Sequence, residues 1–191
     1  PSDVAVATWK MGAYLGASVL EQGIDACVSS WQRFAPNTIP AGAKAGGNYL
    51  SGQLVAREAR RLGFGEGIAL ASTGLLSEGA GENVFVIKDG VVYTPDLSAG
   101  ALNGITRNTV LHICDDLGIK LVQKRITRDE CYIADEMFFT GTAAEVTPIR
   151  ELDRVQIGIG ERGPVTEKIQ SAFFDIVNGR NPKYAHWLTK V

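Results

Sequence analysis

The chain is poor in the residues that build cross-links and metal centres. Among its 191 residues are only three cysteines and two histidines. Cys27, Cys114 and Cys131 are odd in number and far apart, with no Cys-x-x-Cys pair. That spacing argues against a disulfide framework or a zinc site and reads as buried thiols in a reducing compartment. No apolar run approaches the roughly 20 residues a transmembrane helix needs. The opening PSDVAVATWK lacks the order of a signal peptide. An excess of one charge is lacking too: the formal net charge is -2, which gives no reason to expect nucleic acid or an anionic membrane as partner. Repeats and low-complexity linkers are also missing. The remainder is ordinary globular composition, 45% hydrophobic and 21% charged. The expected location is the cytoplasm. The length suits one good-sized domain, or one domain plus a fragment of another.

What is present is an alternation of strand-like and helix-like periods punctuated by Gly and Pro. Strands are expected at 3–9, 24–31, 68–72, 83–88, 91–93, 120–126 and 136–140, with two more around Asp153. Asp89-Gly90 is a hairpin signal between Val84-Phe85-Val86-Ile87 and Val91-Val92-Tyr93. Helices are expected at 48–62, where Leu50, Leu54, Val55, Ala59 and Leu62 recur at near-helical spacing, and at 105–117. Thr127 suits the N-cap of a short helix through Ala134, and Pro164 the first turn of an amphipathic helix through Val177. The mix is α+β with many hairpins, unlike a doubly wound sheet.

Four clusters could carry chemistry. Lys44 sits in Ala43-Lys44-Ala45-Gly46-Gly47-Asn48-Tyr49, where small neighbours leave room for a ligand and the two glycines permit close backbone approach. A solvated amine is the ordinary reading of any one lysine, but a Schiff-base lysine needs such a pocket to lose its proton. Ser77-Glu78-Gly79-Ala80-Gly81-Glu82-Asn83 reads as a tight turn against which a flat ligand could press. A buried carboxylate there needs a partner, such as a protonated pyridine nitrogen; a polar surface turn is the plain alternative. Gly104-Ile105-Thr106 opens a helix whose free N–H groups favour an anion, although capping alone would explain Thr106. Thr140-Gly141-Thr142-Ala143 offers a hydroxyl and turn amides after a strand.

The order and wording of these clusters resemble the fold-type IV pyridoxal-phosphate enzymes, and among them the branched-chain-amino-acid aminotransferases. The likeness runs from about Gly12 to the C-terminus through KAGGNYL, SEGAGENVF, GITR, ADEMFFTGTAAEVTP and GPVTEKIQSAFF. It implies the large domain of that fold, pyridoxal 5′-phosphate as cofactor, and transfer of an amino group from leucine, isoleucine or valine to 2-oxoglutarate. By resemblance, Lys44 holds the cofactor as a Schiff base and shuttles the proton of the substrate Cα. Tyr49 bonds the phenolic oxygen, Glu78 pairs with the pyridine nitrogen, and Leu102 packs on the ring. Ile105, Thr106 and Thr142 bind the phosphate. Gly141, Thr142 and Ala143 meet the substrate carboxylate, and Tyr14 lines the side-chain pocket. A homodimer or higher homo-oligomer is implied as well.

The family carries a smaller N-terminal domain, on the order of a hundred residues, which this sequence lacks. Residues 1–7 resemble its last strand, 8–21 the interdomain loop, and 22–191 the large cofactor-binding domain, so residue 1 is not expected to be the natural N-terminus. Met11 stands where many relatives have an aromatic residue, and His112 and His186 match no catalytic position. Two other fold-type IV activities compete, D-amino-acid aminotransferase and aminodeoxychorismate lyase. A non-catalytic cofactor-binding remnant is the rival from a different class. KAGGNYL and GTAAEVTP favour the branched-chain group over the first two, and intact Lys44, Tyr49 and Glu78 speak against the third.

Overall fold

A computed structural model describes residues 3–9, 15 and 18–189. In chain order the elements are α1 (Val19–Gln22), β1 (Ile24–Gln32), α2 (Tyr49–Arg61), β2 (Glu66–Leu70), β3 (Leu76–Gly79), β4 (Asn83–Lys88) and β5 (Val91–Pro95). Then follow α3 (Ile105–Asp116), β6 (Leu121–Lys124), α4 (Arg128–Tyr132), β7 (Glu136–Gly141), β8 (Glu145–Leu152), β9 (Val155–Gln156) and α5 (Pro164–Val177).

One mixed sheet runs in the order β3-β2-β1-β8-β7-β4-β5-β6, with β9 paired to β8. β1 is parallel to both β2 and β8, and the crossover from β1 to β2 is α2, as a parallel pair requires. The sheet curls until its ends meet. Leu76 of β3 donates its N–H to the carbonyl of Ile126, just past β6, at 2.9 Å. Alternate residues therefore face inward or outward. Ala26, Ile68, Leu76, Val84, Val86, Met137 and Phe139 fill the interior. Phe85, Ile87 and Phe138 face outward and pack with Val110, Ile113, Ile169 and Phe173 of α3 and α5. Glu136 anchors α5, accepting the N–H groups of Val165 and Thr166 at 2.9 and 2.7 Å, a favourable place for a carboxylate at a helix start.

Local signals hold well. The Asp89-Gly90 turn has positive φ at both residues, 50° and 73°, and Thr127 with Glu130 forms a reciprocal capping box on α4. Three expectations need correction. Residues 3–9 form no strand: Val4, Val6 and Trp9 are exposed, and among the described residues nothing pairs with this segment. An apolar alternation becomes a strand only when another strand accepts its hydrogen bonds. In α2 the helix is present and Val55 and Ala59 of the expected apolar set are buried, but Gly52 completes that face whereas Leu50, Leu54 and Leu62 are exposed. Small residues win that face because the helix lies close on the sheet; a Cβ at Gly67 of β2 would come within 2.7 Å of Val55 Cγ1. Finally, Ser77 to Gly79 belong to β3, so the turn is confined to Gly79–Glu82, closed by the Gly79 N–H to Glu82 carbonyl bond of 2.7 Å.

Candidate active site

Four segments converge at one end of the curled sheet: the loop from Pro40 to Asn48, the Gly79–Glu82 turn, the start of α3, and the turn after β7. Asn48 shapes the first of them. Its Nδ2 donates to the carbonyls of Pro40 and Ala43, each at 2.9 Å, so the loop closes on the helix that follows. Lys44 projects from it, exposed, and its Nζ donates to Tyr49 Oη at 3.0 Å. The room around Lys44 is real, since a Cβ added at Gly42, Gly46 or Gly47 would meet nothing within 4 Å. Close backbone approach therefore does not occur at Gly46-Gly47. It occurs at Gly52, where a Cβ would run into the Ala80 carbonyl.

Glu78 is buried on β3, not set in a surface turn. Its Oε1 lies 2.7 Å from Arg33 Nη2, and its Oε2 accepts from the Leu102 N–H at 2.9 Å and Asn83 Nδ2 at 3.2 Å. Burial pushes the Glu78 carboxyl above its usual range, while the Arg33 guanidinium and the Leu102 N–H pull it back. The carboxylate thus already has a cationic partner from the protein, before any ligand.

α3 opens at Gly104, its N-cap, which sits against Asn83 Oδ1 so tightly that a Cβ would collide with it. Thr106 is buried in the first turn and is not the cap, so capping does not account for it. Ile105 is 82% exposed. The first N–H groups of such a helix have no partner within it. Arg107 turns away, donating to Gln123 Oε1 at 2.7 Å and the Pro95 carbonyl at 3.2 Å.

These groups surround hollows that share lining residues. A cavity of about 270 Å³ is lined by Lys44, Leu102, Ile105, Thr106, Thr140, Gly141 and Thr142, among others. A wider one of about 570 Å³ is lined by Lys44, Tyr49, Arg57, Arg60, Glu82, Gly141, Thr142 and Ala143, among others. A void of about 30 Å³ adjoins Arg33, Tyr49, Glu78 and Leu102. Lys44 borders the two larger spaces and Gly81 borders all three. Of the residues singled out in the sequence, Lys44, Tyr49, Glu78, Leu102, Ile105, Thr106, Gly141, Thr142 and Ala143 all line this group of cavities. Tyr14 and Met11 lie outside the described residues. Arg33, Asn48 and Asn83 had no role assigned from sequence, because their partners are distant in the chain or are backbone carbonyls; Glu82 had none either, its partner being the adjacent Gly81 N–H.

Residues 2–152 match the family model described as amino-transferase class IV. The chain belongs to that family. It is 54% identical over 190 residues to the branched-chain-amino-acid aminotransferase of Escherichia coli (strain K12), covering 100% of this chain and 62% of that protein. It therefore spans about three fifths of the length of such relatives. The crystal structure of the Escherichia coli enzyme superposes with TM-score 0.86 at 58% identity, over 87% of this chain and 55% of that one. The branched-chain amino acid aminotransferase from Thermobaculum terrenum, in its PLP-form, gives TM-score 0.86 at 38% identity, over 88% and 55%. The chain thus has the expected fold-type IV architecture. No helix among its described residues is long and apolar enough to cross a membrane, and no cluster of three or more His, Cys, Asp or Glu among them could hold a metal ion.

Proposed function

We propose that this chain is the cofactor-binding part of a protein that catalyses pyridoxal 5′-phosphate-dependent transamination of leucine, isoleucine and valine, with 2-oxoglutarate as acceptor and Lys44 as the Schiff-base lysine. The observation that carries the reading is the position of Lys44, which lines two cavities and whose Nζ donates to Tyr49 Oη at 3.0 Å. The similarity to branched-chain enzymes, one of them described in its PLP-form, supports the substrate class and the cofactor.

The residues present suit the group. Glu78 would hold the ring nitrogen, with Arg33 and the Leu102 N–H offsetting part of the cost of burying its charged form. Tyr49 would hold the phenolic oxygen and Leu102 a ring face. Ile105 and Thr106 at the start of α3, with Thr142, would hold the phosphate. When bound, the cofactor supplies an electron sink for negative charge at the substrate Cα. Lys44, which borders both cavities, would serve as the general base that moves the proton of the substrate Cα. Amides of Gly141, Thr142 and Ala143 would orient the substrate carboxylate, and Tyr14 the apolar side chain. On the same reading, residues 22–191 are the larger cofactor-binding domain, 8–21 lead into it, 1–7 end a smaller one, and the cytoplasmic protein works as a homo-oligomer.

Mixing the full-length, cofactor-loaded protein with L-leucine should replace the Schiff-base absorption band with a pyridoxamine band. No change with any of the three branched L-amino acids sinks the proposal; a response to D-amino acids only would transfer the chain to a different activity.

A further inference from the structure

The last residue on the outer face of β7 bears a hydroxyl with nothing to bond. Met137 and Phe139 point into the sheet interior, while Phe138 faces outward and stacks on Phe85 at 4.8 Å. Alternation puts Thr140 on the Phe138 side, toward α3. Its Cα is paired with that of Asn83, whose Oδ1 abuts Gly104 at the start of α3. Thr140 is 1% exposed, and its Oγ has no hydrogen-bond partner. Buried hydroxyls are nearly always bonded, so an orphan asks for a ligand. Of the buried side-chain atoms left unpaired among the described residues, this is the one whose residue lines the 270 Å³ cavity.

The paired Asn83 has no side-chain N–H to spare for it. Its Nδ2 donates to Glu78 Oε2 and to the Leu102 carbonyl, at 3.2 and 2.8 Å. Facing the same cavity are the start of α3, with unpaired N–H groups and the positive end of the helix dipole, and Thr142. Lys44 is the one cation in the lining. An anion there is therefore met mainly by neutral donors.

We propose that Thr140 Oγ is a further ligand of the cofactor's phosphate, donating to one of its oxygens from the rigid end of a strand. This rests on the cofactor reading above. Thr142 lies on an exposed turn and Ile105 on an exposed helix end. Thr140 is the buried donor of the set that is fixed by a ladder, its Cα paired to Asn83 on one side and Val146 on the other.

The test compares Thr140→Val and Thr140→Ser with the wild type in the full-length protein. Affinities for pyridoxal 5′-phosphate and for unphosphorylated pyridoxal are read by absorbance, and the apo protein by thermal unfolding. A hydrogen bond to a charged oxygen predicts that Thr140→Val weakens pyridoxal 5′-phosphate binding about tenfold or more. It should leave pyridoxal binding unchanged and the apo protein at least as stable, and Thr140→Ser should retain the tight binding. Unchanged affinity for pyridoxal 5′-phosphate in Thr140→Val, or an equal loss for both aldehydes, overturns the assignment while leaving the cofactor reading intact. A wild type that binds neither aldehyde overturns both.

Discussion

Arg33 Nη2 lies 2.7 Å from Glu78 Oε1, and both side chains are buried. Arg33 follows β1 and Glu78 sits on β3, so the pair bridges the intervening β2 beside the site. A carboxylate buried this deeply is tolerated because the guanidinium, the Leu102 N–H and the Asn83 amide surround it. Removing the cation alone strands the charge, which typically costs about 3–5 kcal/mol. Arg33→Ala should therefore lower unfolding free energy by about that amount in urea, without cofactor. The double variant Arg33→Met with Glu78→Gln should recover much of the loss. A double variant as unstable as Arg33→Ala would show that packing, not charge, dominates.

Asn48 predicts a different kind of effect. Its two bonds to the carbonyls of Pro40 and Ala43 are what ties the Lys44 loop down. Asn48→Ala should cost about 1–3 kcal/mol, with the amide at least partly buried. Hydrogen exchange should rise across residues 41–47 while β7 stays protected. Uniform exchange increases would contradict a local role.

Glu82 makes stability fall with pH. It is 4% exposed, accepts the Gly81 N–H at 3.0 Å, and is pushed up to about 8 by burial and by the neighbouring Glu66, itself raised by burial. A carboxyl whose folded pKa exceeds its unfolded one holds a proton that the unfolded chain releases. Its contribution is complete below the usual carboxylate range and is lost as pH rises toward 8. Urea midpoints of the wild type should drop between pH 5 and pH 8.5, and Glu82→Gln should flatten that decline. An unchanged slope in the variant removes Glu82 as its source.

Gly52 is the point where α2 touches the Gly79–Glu82 turn. A methyl group there would meet the Ala80 carbonyl. Although Ala is the better helix former, Gly52→Ala should destabilise by about 1–3 kcal/mol through overpacking. Gly46→Ala, with open space around it, should stay within about 0.5 kcal/mol. Thermal unfolding of the two variants side by side checks the contrast.

The parts of the fold that could be read from sequence are those whose signals are local. α5 begins at Pro164 and ends at Val177 as its periodicity implies, and β4 and β5 flank Asp89-Gly90. Lys44, Tyr49 and the start of α3 stood out because small residues and a helix boundary mark them. What escaped depends on distance. Nothing near Arg33 signals Glu78, 45 residues on. Nothing in α2 shows that a close-lying sheet would bury Gly52 beside Val55 and Ala59 and leave the leucines exposed. Thr140 and Thr142 look alike as letters, yet one ends buried on a strand and the other exposed on a turn. Residues 3–9 alternate like a strand and lack only the partner that would make them one.

The meeting of Leu76 with Ile126 has a consequence for how the cofactor and folding are coupled. Arg33, Lys44, Glu78, Thr106 and Thr142 come from separate stretches, and the curled sheet brings them to one end. Partial unfolding of any one strand would scatter the donors, so a ligand bound there holds the whole ring of strands at once. Its stabilisation grows as RT ln(1 + [L]/Kd) and reaches about 2.7 kcal/mol at a hundredfold excess over Kd. The cofactor would act as the clasp of the barrel: protease resistance gained on loading would extend to α5, on the sheet's outer face and remote in sequence from Lys44.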